Sequence, residues 1–159
     1  MEMDKETRKE ILESEDELLK GLLDAAQDRE SEVVTIEIAR KGRVYFRFRI
    51  RALTEKEVER CRELATKYTK NRQGIKIPEE ASNAKYRSLL IHTATVEEDR
   101  KKLWDNKALW DKLSVLSGVD VIDQVLLPGE KEKIIEKLDE ISGFVDDSKY
   151  DEIEELAKN

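Results

Sequence analysis

The sequence predicts an α+β fold: a mainly helical single domain with one antiparallel β-hairpin near the N-terminus. Three observations carry that prediction. The 159 residues include only 2 prolines and 6 glycines, while Glu, Lys, Leu and Arg dominate, so helix is favoured over most of the length. Apolar residues recur at helical spacing in several separate segments. Between residues 33 and 51 that period drops abruptly to 2.

In chain order, residues 4–26 carry two adjoining apolar stripes, Ile11/Leu18/Leu22 and Leu12/Leu19/Leu23/Ala26, and are expected to be helical. A polar linker from Gln27 to Glu32 should end this helix. Residues 1–32 thus read as an acidic N-terminal helix and linker, and 33–159 as a hairpin plus helical domain. Val34, Ile36 and Ile38 alternate with Thr35, Glu37 and Ala39, and Val44, Phe46, Phe48 and Ile50 alternate with Tyr45, Arg47, Arg49 and Arg51. A two-residue loop at Lys41-Gly42 would pair Ile36 with Arg47 and mix the two faces. A three-residue loop pairs Ile38 with Val44, Ile36 with Phe46 and Val34 with Phe48, and puts Gly42 at a left-handed position. The three-residue loop is the expectation. It leaves a basic outer face of Arg40, Lys41, Arg43, Arg47, Arg49 and Arg51.

Leu53-Thr54-Glu55-Lys56-Glu57-Val58 is a capping box with a hydrophobic staple. It should open a helix to about Lys70 with Val58, Cys61, Leu64, Ala65 and Tyr68 on one face. Asn71 to Ile77 reads as a loop, and Pro78 as the first position of a helix to about Thr95 that buries Tyr86, Leu89, Leu90, Thr93 and Ala94. Asp105 is expected to cap a further helix, with Trp104 stapled onto Leu109 and a stripe of Leu109, Leu113 and Leu116. Gly118 should close that helix in the left-handed conformation. A short apolar helix over Asp120 to Leu127 follows. Pro128-Gly129-Glu130 then opens a helix with Ile134, Ile135, Leu138 and Ile141 inward, ended by Gly143. Ser148 with Asp151 opens a last helix.

Composition excludes much chemistry. One histidine and one cysteine cannot form a Cys/His zinc site or a disulfide framework. The glycines are too dispersed for a phosphate loop or a dinucleotide fingerprint. No apolar run approaches the roughly 20 residues of a membrane span, and the acidic start does not resemble a secretory signal. Ser88 and His92 lie one turn apart, but no orienting acid or oxyanion donor is near in sequence, so the pair reads as a polar helix face. Cys61 reads as an inert core thiol. Asp120/Asp123 and Asp146/Asp147 lack calcium-loop spacing and read as caps and solvated charge. No catalytic, cofactor or metal residue is expected.

The net charge of -7 is unevenly distributed. Residues 1–32 contribute -7, 33–127 contribute +6 and 128–159 contribute -6. A basic hairpin can contact phosphates. Here Phe46 and Phe48 point away from the arginines, and the overall pI near 5.0 weakens attraction to nucleic acid. Trp110 follows Leu109 on its helix and sits at the margin of the stripe, where a partner could use it as an anchor.

The junction Phe46-Arg47-Phe48-Arg49-Ile50-Arg51-Ala52-Leu53-Thr54-Glu55-Lys56-Glu57 resembles the strand-to-helix junction of the XkdN-like phage tail assembly chaperones. Leu126-Leu127-Pro128-Gly129-Glu130, Ile141-Ser142-Gly143-Phe144 and the closing Ala157-Lys158-Asn159 resemble the carboxyl half of that family. The likeness covers about residues 33–159. It implies a non-enzymatic phage or prophage protein of the bacterial host cytoplasm that binds the tape measure protein and keeps it soluble during tail assembly. It implies no cofactor and no membrane association, and allows a homo-oligomer or a longer frameshifted form. A structural or adaptor subunit of the tail particle is the second reading, and a nucleic-acid-binding regulator the third. Phe46, Phe48 and Trp110 are the expected partner-binding residues, being the apolar groups that a lone hairpin and an off-stripe position should leave uncovered.

Overall fold

The computed structural model describes residues 5–66, 68–70, 72–78 and 83–144. It bears out the α+β, mainly helical class, with a two-stranded antiparallel sheet near the N-terminus. The chain divides into two compact units, residues 1–32 and 33–159. The expected helix at Ser148 lies outside the described residues.

The first unit is helix α1, Lys5–Ser31. It runs through the expected linker at 27–31, because Gln27-Asp28-Arg29-Glu30 contains neither proline nor glycine and its residues tolerate helix well. Leu18, Leu19, Leu22 and Leu23 are exposed along it.

The second unit opens with strands β1 (Val33–Arg40) and β2 (Arg43–Arg51). Their register corrects the expected one. Arg40 pairs with Arg43 across a two-residue turn, and beyond a bulge the pairs are Ile38 with Phe46, Ile36 with Phe48 and Val34 with Ile50. Both turn residues have positive φ, 52° at Lys41 and 77° at Gly42, the signature of a type I′ turn whose twist suits the strands. The bulge resolves the conflict that argued against this loop: Tyr45 is left without a cross-strand partner, which shifts the pairing by one residue and returns the apolar residues to one face. Two side chains change sides as a result. Val44 faces solvent, and Arg40 turns inward with Ile38.

Helix α2 (Glu55–Ala65) starts with the expected capping box, Glu57 N–H donating to Thr54 Oγ1 and Thr54 N–H to Glu57 Oε1. It stops before Lys70. Thr66 is extended and its hydroxyl donates back to Arg62 O. Tyr68–Lys70 (β3) then pairs with Lys76–Pro78 (β4) as a second small hairpin, where a helix end and a loop were expected. Strand-favouring Thr and Tyr residues and Gly74, at φ 77°, explain the switch. Pro78 therefore ends a strand, and helix α3 begins later, over Asn83–Ala94. It buries Ser88, Leu90, Ile91 and Ala94, while Tyr86, Leu89 and Thr93 are half-buried.

Helix α4 (Glu97–Lys102) was not expected. Helix α5 (Lys107–Leu113) is capped by Asn106 rather than Asp105 and ends in a left-handed Ser114, φ 56°. Leu116 is not part of its stripe and is 90% exposed. Gly118 is the first residue of α6 (Gly118–Val125), which Ser117 caps. Its need for glycine is spatial: a Cβ there would overlap Asp105 Oδ1 and stand 2.9 Å from Trp104 O. Helix α7 (Pro128–Ile141) starts at proline as expected. The core joins Ile38, Phe48 and Ile50 of the hairpin to Cys61, Ile91, Val121, Ile122, Ile134 and Leu138 of the helices, with Trp104 among them.

The turn gives a direct test. Gly42→Ala should cost roughly 1 kcal/mol or more, because a Cβ is added at positive φ. Lys41→Asn should raise stability slightly, since Asn-Gly is a preferred type I′ pair. Thermal unfolding of both variants checks this; an unchanged Gly42→Ala variant contradicts the turn assignment.

Candidate partner-binding site

The three expected partner residues gather around a fourth. Phe46 and Phe48 stack with centroids 6.0 Å apart, and both meet Trp104 edge-on at 5.8 and 5.3 Å. Trp110 Nε1 donates to Trp104 O at 2.6 Å. Exposure differs among them. Phe48 is 1% exposed and covered within the chain, while Phe46 and Trp110 are half-buried at the edge of the core. The expectation that Phe48 is left uncovered is not met: after the bulge its ring points into the core, on Trp104. Sequence reasoning assigned Trp104 only a staple role. Its burial is allowed because its indole N–H finds Thr95 Oγ1 at 2.9 Å, whose own hydroxyl donates to Ile91 O at 2.7 Å.

The outer edge of β2 is closed where Thr95 forms a bridge with Ile50 and Val96 N–H donates to Arg49 O at 3.0 Å. Asp99, one turn into α4, accepts from the Arg49 backbone N–H at 2.8 Å and from its guanidinium at 3.0 Å on both oxygens. Arg51 makes a similar fork on Glu57, at 3.0 and 2.8 Å. Arg40 reaches Glu130 at 3.0 and 2.6 Å and donates to Val125 O. Arg47 pairs with Glu37 directly across the strands. The face expected to be basic is therefore largely neutralised from within the chain. Arg43 is spent over the Tyr45 ring, 5.1 Å from its centroid.

These contacts hold three carboxyls below their usual range. The Arg51 guanidinium, with help from the Thr54 backbone, lowers Glu57 to about 2, against the opposing effect of burial. Arg49 lowers Asp99, and Arg40 lowers Glu130.

The possible chemical groups are tied up elsewhere. Ser88 donates to Asp123, and Lys131 Nζ donates to Ser88 Oγ and to Asp123 Oδ1, both at 2.7 Å. Ser88 and Lys131 are buried, so this network ties α3, α6 and α7 together in the interior. His92 Nε2 meets Asp105 Oδ1 at 2.7 Å, whereas Ser88 is held by Asp123 and Lys131. Burial pushes the Cys61 thiol up, and it lies 3.4 Å from Thr93 Oγ1. Among the described residues, no group of acidic, histidine and cysteine side chains could hold a metal. No helix among them is long and apolar enough to cross a membrane.

What remains, among the described residues, is a helical α+β domain whose half-buried aromatics, Phe46 and Trp110, flank the buried Trp104. The chain belongs to the XkdN-like phage tail assembly chaperone family, which it matches over residues 19–158. The match begins inside α1, earlier than the hairpin. Among solved structures, the crystal structure of the protein yqbn is similar, with 18% identity and a TM-score of 0.45, covering 72% of this chain and 88% of that one. A search of curated proteins finds no match.

The lowered carboxyls set an expected pH dependence. A carboxyl whose folded pKa lies below its unfolded value adds stability above the unfolded value, and this is lost as pH falls toward the folded one. For Glu57 the window runs from 4.5 down to about 2. The stability difference between the protein and its Arg51→Met variant should therefore be full at neutral pH and shrink through that window. Denaturant unfolding at stepped pH measures it; a difference that stays constant contradicts the clamp.

Proposed function

We propose that this chain is a chaperone for the tape measure protein, holding it soluble in the bacterial cytoplasm while the tail tube assembles. Membership of the tail assembly chaperone family over residues 19–158 carries the reading. The physical need is clear: a long amphipathic helical chain exposes apolar stripes before assembly and aggregates unless they are covered. An acidic domain with net charge -7 keeps such a complex soluble.

We place the contact at the edge of the aromatic layer, where an amphipathic helix of the partner would lie against Phe46 and Trp110. Phe48 takes part from beneath, by fixing the angle of the Phe46 ring. This binding requires no cofactor and makes or breaks no covalent bond.

Co-expression with the tape measure protein tests the proposal. Trp110→Ala should lower the soluble yield of the partner more than Ile134→Val does at a matched loss of melting temperature, since Ile134 is buried on α7, outside the aromatic set, and reports stability alone. The opposite ranking removes Trp110 from the site. Equal solubility of the partner with and without this chain overturns the chaperone reading, and recovery of the chain from finished tails favours a particle subunit instead.

A further inference from the structure

We infer that α1 pairs antiparallel with α1 of a second copy of this chain. Of the exposed leucines of α1, Leu18, Leu19 and Leu22 fall on one side of a heptad frame, and Leu23 falls outside that side at position b. With Leu22 at position a, Leu18 and Ala25 occupy d and Leu19 and Ala26 occupy e, giving an apolar seam with one apolar flank. Leu18, Leu19 and Leu22 are 67%, 56% and 61% exposed, and a single helix cannot bury this seam by itself.

Charges inside the seam select the occupant. The same a position holds Arg8, Glu15 and Arg29, each exposed on α1. A parallel pair would set Arg8 on Arg8, Glu15 on Glu15 and Arg29 on Arg29, three like-charge contacts in one seam. An antiparallel pair stacks a on d positions: Leu22 lies over Leu18 of the second copy, and Leu18 over its Leu22. Arg29 of the second copy then stands level with residue 11, one helical turn or about 6 Å from Glu15. The two-fold axis repeats that opposite-charge contact at the other end.

The apolar flank points the same way. In a parallel pair the e flank meets the partner's g flank, which here holds Ser14, Gly21 and Asp28. In an antiparallel pair e meets e, so Leu19 meets Leu19 and the flank is buried on itself. The pairing does not depend on the chaperone reading, and the opposite surface of α1 carries enough carboxylates to keep the dimer soluble.

Sedimentation equilibrium of the full chain at about 1–100 µM, at low salt, tests this. A concentration-dependent dimer is expected. Glu15→Arg alone should weaken it by about tenfold or more, and Glu15→Arg with Arg29→Glu together should restore it to within about threefold. Leu19→Glu should abolish it while leaving thermal unfolding of the hairpin domain unchanged. A chain that stays monomeric overturns the inference, whether α1 is then free or covered by its own domain. So does a dimer indifferent to Glu15→Arg, or a double reversal that fails to recover.

Discussion

Three arginines of the hairpin are each held by the third residue of a helix. Arg51 forks onto Glu57 in α2, Arg49 onto Asp99 in α4, and Arg40 onto Glu130 in α7. That position is where a carboxylate is favoured in its own right, because it faces the unpaired amides and the positive end of the helix dipole. Glu57 and Glu130 also accept backbone N–H groups, from Thr54 and Leu127. Glu57 and Glu130 thus cap their own helices while holding the hairpin, whereas Asp99 takes the Arg49 backbone N–H of the hairpin itself. A two-stranded sheet is marginal alone, and these clamps set where the helices meet it.

The aromatic layer depends on that placement. Asp99 and the Thr95–Val96 corner hold the edge of β2, and the same Thr95 takes the indole N–H of Trp104. Trp104 can then fill the space under Phe46 and Phe48. Gly118 is a consequence of the same packing, since α6 passes close enough to Trp104 O and His92 to exclude a Cβ. The polar groups that could suggest catalysis serve the interior: Ser88, Asp123 and Lys131 join three helices in a network closed to solvent at Ser88 and Lys131.

Sequence made local features legible and left distant ones hidden. The switch of period at residue 33 announced the hairpin, and Thr54 with Glu57 announced α2 because both partners of a capping box lie within four residues. The bulge at Tyr45 was not legible. It is imposed by the agreement of turn twist with core facing, and pairing rules alone offered a three-residue loop instead. Gly118 misled because glycine serves both as a left-handed helix end and as a place of close approach. The clamps of Arg49 and Arg40 join residues 50 and 90 positions apart, which no spacing rule connects. Of the aromatic cluster, Phe46, Phe48 and Trp110 stood out in the sequence as uncovered apolar groups. Their common centre at Trp104, and the burial of Phe48, follow from the bulge and the Thr95 corner.

Carbon-13 detected carboxyl titration of the folded chain tests the clamp account most directly, because it reads Glu57, Asp99 and Glu130 one by one. All three should titrate below the ordinary carboxylate range, with Glu57 at about 2. Ordinary values for Asp99 and Glu130, with Glu57 alone lowered by its own capping box, would contradict it.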